Sequence, residues 1–264
     1  MKIATWNING IKARINGLKQ WLEQAQPDVA CLQEIKSVDD QFPASEIESL
    51  GYNVAVHGQK SFNGVAILSK KPFDDVQQGL PSITDEDNED EQARYLEAVI
   101  STDTGALRVA SLYLPNGNPV ESPKYSYKLS WMDRLQHHAK TLLSYEEPLV
   151  LAGDYNVIPT EHDVHDAKAW EDDALFLYET RAKFRALLNL GFTESYRACS
   201  AQKHQYTFWD YQKGAWQKDH GIRIDHLLLS AQAADLLQRC EIDRFTRGWE
   251  KPSDHVPVWI DLRV

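Results

Sequence analysis

The sequence predicts an α/β fold in which two mixed β-sheets pack face to face with helices outside. Three observations predict it. Apolar runs of strand length outnumber helical repeats, the helical repeats fall between pairs of such runs, and no linker, internal repeat or composition shift divides the 264 residues. A single domain over residues 1–264 is expected, with 42% apolar and 10% aromatic residues to supply its core.

Taken in order, Lys2 to Asn7 is expected as a strand, and Asn9-Gly10 turns it into a helix. Ile11, Ile15, Leu18 and Leu22 recur at three- and four-residue spacing until Pro27 ends the pattern. A second strand then runs from Pro27-Asp28 through Gln33 into Glu34. A right-handed crossover makes these strands parallel and brings Asn7 and Glu34 to one rim. A short helix near Ala44 to Leu50 precedes strands Tyr52 to His57 and Gly64 to Ser69. Tyr95 to Ser101 and Leu107 to Leu114 read as an antiparallel pair joined around Asp103-Thr104-Gly105. Tyr113-Leu114-Pro115-Asn116-Gly117 is a turn, because Pro presets φ and Asn-Gly tolerates positive φ. Ser122 to Leu143 reads as a long helix with Leu129, Met132, Leu135, Ala139 and Leu142 on one face.

The apolar run Leu149 to Ala152 reads as a strand buried on both faces, ending in Gly153-Asp154-Tyr155-Asn156. Asp163 to Glu171 is a polar loop, and Phe184, Leu187, Leu188 and Leu190 end a further helix before Gly191. Ile224 to Leu229 is expected as a strand and Ala231 to Leu237 as a helix. Pro252-Ser253-Asp254-His255 is a loop feeding the last strand, Val256 to Leu262.

A net charge of −11 argues at first sight against a nucleic-acid partner. Six acids, however, fall within the seven residues from Asp85 to Glu91, a run expected as a solvated loop. Divalent ions held at an acidic rim would themselves supply positive charge for a phosphate. No stretch resembles a membrane span, and Asn7 and Asn9 interrupt any apolar signal core, so a cytoplasmic protein without a membrane partner is expected. Cys31, Cys199 and Cys240 are odd in number and widely spaced, which argues against a disulfide framework or a zinc cluster and for plain thiols.

Gly-Asp-x-Asn alone is as readily a plain turn with an Asx hydrogen bond. Repetition of the pattern gives it weight. Four apolar stretches run into Asn7, Glu34, Asp154 with Asn156, and Asp225, gathering hard oxygen ligands that suit Mg²⁺ or Mn²⁺ and not zinc. Phosphodiester hydrolysis needs a metal for the nonbridging oxygens, a base for the attacking water, and donors for the developing charge. Glu34 can hold the metal, Asp154 can take the proton, and Asn156 and Asn7 can orient ligand and water. His255, with Asp225 accepting one ring N–H, can aim the other at a phosphate oxygen, and Tyr113 is a further donor.

The blocks TWNINGIKAR (5–14), PDVACLQEIK (27–36), LYLPNG (112–117), LAGDYNVIPTEHD (151–163), GIRIDHLLLS (221–230) and KPSDHVPV (251–258) resemble the exonuclease III and apurinic/apyrimidinic endonuclease family. They lie in the family's order and span nearly the whole chain. The resemblance implies a four-layer α/β sandwich and a Mg²⁺-dependent enzyme, with Mn²⁺ as a substitute, that incises DNA 5′ of an abasic site and leaves a 3′-hydroxyl. It also implies removal of 3′-blocking groups and 3′ to 5′ digestion of duplex DNA. The expected partner is double-stranded DNA with abasic sites or blocked 3′ ends, and a monomer is expected.

By resemblance, Glu34 matches the metal-binding glutamate, Asp154 and Asn156 the Asp-x-Asn pair, Tyr113 the active-site tyrosine, and Asn7 the N-terminal asparagine. Asp225 and His255 match the hydrogen-bonded Asp/His pair, and Asp254 the neighbouring acid that places the metal or orients the histidine. The implied metal set is Glu34, Asn7, Asp154, Asn156, Asp254 and His255, for one or two ions. Either Asp154 or Tyr113 can be the general base. Asn9 stands where some relatives carry a second metal-associated aspartate. Phe208 and Trp209 match the aromatic wall of a sugar pocket, Ile222 stands where some relatives have Trp, and Pro119 falls near where some insert an Arg into the DNA. Asn116 and Arg223 complete the implied substrate contacts. Lys60, Arg94, Lys124, Lys128, Arg223 and Lys251 are candidates to grip the backbone. Two other classes share such residues: a binding module of the same fold without catalysis, and a phosphodiesterase for lipid or inositol phosphates.

Overall fold

The computed structural model describes residues 1–83 and 90–264, so most of the acidic run, residues 85–89, lies outside the described residues. The first sheet contains β1 (Lys2–Asn7), β2 (Val29–Gln33), β3 (Asn53–His57), β4 (Val65–Ser69), β11 (Leu237–Ile242) and β12 (Val258–Leu262), in the order β11-β12-β1-β2-β4-β3. The second contains β5 (Asp75–Gln78), β6 (Tyr95–Thr102), β7 (Gly105–Tyr113), β8 (Leu149–Asp154), β9 (Thr193–Glu194) and β10 (Asp225–Leu229), in the order β5-β6-β7-β8-β10-β9.

Each sheet is antiparallel except at its centre, where β1 pairs parallel with β2 and β7 pairs parallel with β8. Parallel pairs need a crossover, and both are helical. Helix α1 (Ile11–Ala25) links β1 to β2, the short α2 (Ala44–Glu48) precedes β3, and α3 (Pro123–Leu143) links β7 to β8. Side-chain alternation then divides each strand between two cores. Ile3, Val29, Cys31 and Ile67 from the first sheet meet Val109, Val150, Ala152 and Leu227 from the second. The opposite faces carry Ala4, Trp6 and Leu32 against Leu18, Trp21 and Leu22 of α1, and Ala110, Leu112 and Leu151 against Trp131, Leu135 and Leu142 of α3. The result is the face-to-face pair of mixed sheets with helices outside that the pattern predicts, and the four-layer α/β sandwich that the resemblance implies.

α3 begins one residue inside the expected span because Ser122 caps it, accepting from the Lys124 amide, with Pro123 at the first helical position. Three strands were not expected, the two-residue β9 among them. β5 is exposed throughout and shows no apolar alternation, and β11 starts at Leu237, where a helix was expected to end. That helix, α6 (Ala231–Ala234), stops early because Leu237 pairs with Leu262 of β12. The polar loop after β8 contains two 3-10 turns, Glu161–Asp163 and Ala167–Trp170, and is followed by α4 (Tyr178–Leu188) and, after β9, by the short α5 (Ser195–Cys199).

Candidate active site

Both parallel pairs end at the same rim. Asn7 closes β1, Glu34 follows β2, Tyr113 closes β7 and Asp154 closes β8. β10 runs antiparallel to β8, so its first residue, Asp225, stands directly beside Asp154. Gly153 permits this crowding. A Cβ there would meet the Leu112 carbonyl oxygen at 2.0 Å, so no side chain fits between β7 and β8 at the strand end.

Asn7 joins the two acids. Its Nδ2 donates to Glu34 Oε1 at 2.9 Å and to Asp154 Oδ2 at 2.9 Å, and its Oδ1 accepts from the Asn9 amide at 3.0 Å. Two carboxylates at one buried rim repel, and a shared amide donor offsets part of that repulsion. Lys36 adds a cation, with Nζ 2.9 Å from Glu34 Oε2. Burial works to raise the Glu34 carboxyl, yet Lys36, then Asn7 and His255, hold it below its usual range. Asp154 goes the other way. Burial raises it, Asp225 adds to the effect, and His255 opposes.

His255 sits between two acids. Its Nδ1 lies 2.9 Å and 3.1 Å from the Asp225 oxygens, and its Nε2 lies 3.7 Å from Asp154 Oδ2. Burial disfavours the charged ring, but Asp225 and Asp154 win and push its pKa up to about 10. Glu34, Asp154 and His255 each offer a ligand atom within 4.8 Å of the others. An imidazolium has no free lone pair, so the Asp225 contact favours His255 as a donor and leaves the carboxylates as the hard ligands. Burial, then Glu34 and Asp154, push the Tyr113 phenol well above its ordinary value. It stays protonated, a donor among acids.

The structure also shows what holds these groups. Thr207 Oγ1 accepts from the Ile224 and Asp225 amides, and Ser253 Oγ donates to the Asn7 carbonyl at 2.7 Å and accepts from the His255 amide. Trp6 Nε1 donates to the His255 carbonyl at 3.0 Å. Sequence reasoning missed Lys36, Thr207 and Ser253. Lys36 and Ser253 lie inside recognised blocks, but nothing in the chain marks a hydroxyl that ties strand ends together. Asn9, Glu34, Lys36 and Asn156 all have φ between 46° and 51°, in the left-handed region. Four such residues at one rim are a concentration of backbone strain of the kind found at functional sites.

Other expected positions fall differently. Asn156 donates through Nδ2 to the Leu114 carbonyl and accepts at Oδ1 from Asn116, so its amide ties the β7 and β8 turns together. Asp254 accepts from Asn9 at 3.0 Å and lies outside the group of three. Phe208 abuts the site, its ring 4.9 Å from that of His255, and pairs through the backbone with Ile222. Asn116 is exposed and donates to Asn156 Oδ1 at 3.2 Å. Trp209, expected at the pocket wall, is instead fully buried against Tyr206, Ala215 and Val256 and donates to Asp219.

Two expected DNA-gripping cations are not on the surface. Arg223 is 1% exposed and pairs with Asp163 at 2.8 Å and Glu194 at 2.9 Å. A guanidinium fixed by two buried carboxylates cannot reach a phosphate, so neither its grip on the backbone nor its substrate contact holds. Lys128 is 0% exposed and donates to the Asn116 and Asn156 carbonyls, and burial pushes its ammonium down to about 7. It supports the two site turns from beneath. Arg94 lies at the site, its guanidinium 4.8 Å from the Tyr113 ring centroid.

The chain is similar along its whole length to known proteins. Exodeoxyribonuclease III of Haemophilus influenzae is 34% identical over 271 residues, covering 100% of both chains. The structure of an AP endonuclease from Archaeoglobus fulgidus is 35% identical with a TM-score of 0.93, again covering 100% of both chains. A 3′ phosphatase from Neisseria, bound to a product DNA hairpin, is 36% identical with a TM-score of 0.94 and the same full coverage. Residues 4–255 match the Endonuclease/Exonuclease/phosphatase family, and the chain belongs to it.

Proposed function

We propose that this protein is a magnesium-dependent DNA repair phosphodiesterase. It incises 5′ of abasic sites and also has 3′-phosphodiesterase and 3′ to 5′ double-stranded exonuclease activity. One observation carries the reading: a single amide, Asn7, bridges Glu34 and Asp154 while His255, held by Asp225, faces the same Asp154. A binding module without catalysis has no use for several acids crowded at one buried rim. Relatives named exodeoxyribonuclease III and AP endonuclease, and a related 3′ phosphatase solved on a DNA hairpin, support the substrate class.

The donor set fits a hard divalent cation, with Glu34 and Asp154 as oxygen ligands and no thiolate nearby. When bound, such an ion supplies charge neutralisation for phosphate oxygens. The side chains do the rest. Asp154, whose affinity for a proton is raised by burial, takes one from the attacking water. The water oxygen joins phosphorus as the bond to the upstream 3′-oxygen breaks; that oxygen takes a proton from solvent to become a 3′-hydroxyl, and the 5′-phosphate stays on the downstream strand. His255 and Tyr113 donate to the charge that builds on the phosphoryl group. Asp154 is thereby preferred to Tyr113 as base, since the phenol holds its proton too tightly.

Residues from both ends of the chain line the site, so we treat residues 1–264 as one functional domain, acting as a monomer. No helix among the described residues is long and apolar enough to cross a membrane. Free thiols at Cys31, Cys199 and Cys240 suit a reducing compartment, in line with a cytoplasmic enzyme. The test is a duplex carrying a tetrahydrofuran abasic analogue and a labelled 5′ end. A single nick 5′ of the analogue is expected with Mg²⁺ or Mn²⁺ and none with chelator, and an intact duplex in both metals would overturn the reading.

A further inference from the structure

Phe208 faces two ways. Its ring touches that of His255, and it also lines a cavity of about 350 Å³ together with Ile222, Trp170, His165, His220 and Lys213. That volume falls within the range of small-molecule sites and leaves room beyond a bare sugar.

The walls are of a definite kind. The His165 and His220 rings lie parallel, 7° apart in plane and 4.7 Å apart at their centroids. His165 Nδ1 is 3.2 Å from the Gly221 carbonyl, which can only accept, so that nitrogen carries the proton and fixes the ring. Val164 and Phe208 both bridge to Ile222, and the His165 amide donates to Gly221, so three chain segments are laced into one floor. Flat rings on a rigid floor with a lysine at the edge make a stacking platform for a planar, electron-rich ring.

We propose that this cavity binds the nucleobase of the nucleotide being removed, so that a base-bearing 3′ terminus is a substrate held by His165, Trp170 and His220. This rests on the nuclease reading of the adjoining site. A sugar beside Phe208 places its phosphate toward His255 and its base, when it has one, toward the stacked imidazoles. An abasic sugar makes none of the stacking contacts. The cavity therefore separates the two activities: exonucleolytic removal depends on it, and abasic incision does not.

The experiment compares the parent protein with His220→Ala and Trp170→Ala on two duplexes, one with a matched, base-bearing 3′ end and one with an internal tetrahydrofuran. Each variant should lose about tenfold or more in kcat/KM for terminal nucleotide release, as expected for one lost stacking partner, and stay within about twofold on the abasic duplex. Quenching of a 3′-terminal 2-aminopurine on binding, measured in chelator without turnover, should weaken in the same variants. Parallel losses on both duplexes, or no loss on either, overturn the base-binding role. A parent protein that cleaves neither duplex removes the nuclease reading and this proposal with it.

Discussion

Asp225 holds His255 with both carboxylate oxygens, 2.9 Å and 3.1 Å from Nδ1, and so aims Nε2 at the strand end that carries Asp154. An amide at position 225 keeps the shape and loses the charge. The imidazole, now pushed up to about 10, then falls toward its ordinary value and loses its proton in a lower pH window. Asp225→Asn should reduce kcat by about 100-fold at pH 8. The alkaline limb of its pH–rate profile should move to lower pH, so the deficit is smaller at pH 6. A profile with an unmoved alkaline limb would show that His255 acts as a neutral group.

Gly153 precedes the last residue of β8 and pairs with Leu112 of β7. An alanine Cβ would lie 2.0 Å from the Leu112 carbonyl oxygen and 2.8 Å from Leu112 Cγ, with backbone on one side and a buried side chain on the other. Neither neighbour can rotate away, so the central parallel pair must part. Gly153→Ala should destabilise the protein by about 3 kcal/mol, at the upper end for overpacking, and blunt turnover by displacing Asp154. A thermal melt superimposable on that of the parent would refute the close approach.

Arg223 is the centre of a buried ion cluster, not a phosphate contact. Burial opposes ionisation of Asp163 and Glu194, yet Arg223, foremost among their partners, holds both below the usual carboxylate range. Carboxylates depressed in the folded state stabilise it above their unfolded pKa of about 4, and that contribution is lost as pH falls through the folded values. Arg223→Leu removes the cation that the two acids share, leaving Asp163 to Arg197 and Glu194 to His226, and should cost about 3 kcal/mol at pH 7. The deficit should shrink below pH 4, as the variant's acids take up protons first. Urea titrations across that range check it, and an unchanged stability at pH 7 would return Arg223 to the list of substrate contacts.

The contrast between His255 and Arg223 shows what the chain reveals. Asn7, Glu34, Asp154 and Asp225 were legible because each ends or begins an apolar run, and a βαβ crossover brings like ends of strands together. The sense of each strand, and hence the rim, follows from local pattern. Arg223 and Lys128 were not legible, because a cation in a polar stretch looks the same whether its partners are water, a phosphate or carboxylates 29 and 60 residues away. β5 was invisible for a related reason. An exposed edge strand buries nothing, so it needs no apolar alternation to form. Trp209 shows the limit for aromatics, since Phe208 and Trp209 are adjacent in sequence and point into different environments.

Asn7 gives the most direct test of how the acidic rim survives without a bound cation. Its one amide nitrogen serves both Glu34 Oε1 and Asp154 Oδ2, and Asp154 is 1% exposed, so no water replaces the donor freely. Asn7→Ala leaves two facing carboxylates short of a hydrogen bond, at a cost of about 1–3 kcal/mol in chelator at pH 8. Asp154 is raised where the acids of the Arg223 cluster are depressed, yet both deficits grow with pH, because each variant loses a partner that favours the ionised acid. Asp154 is already raised by burial, and losing Asn7 raises it further, so the folded state binds protons more readily than the unfolded chain. The deficit must then grow from pH 5 to pH 8. Magnesium should narrow it at pH 8, because an ion that binds only the folded rim stabilises it by mass action and takes over the neutralising role of the amide. A deficit that is the same at both pH values and indifferent to magnesium would mean that Asn7 merely fills space, and that Glu34 and Asp154 do not share a charge-coupled site.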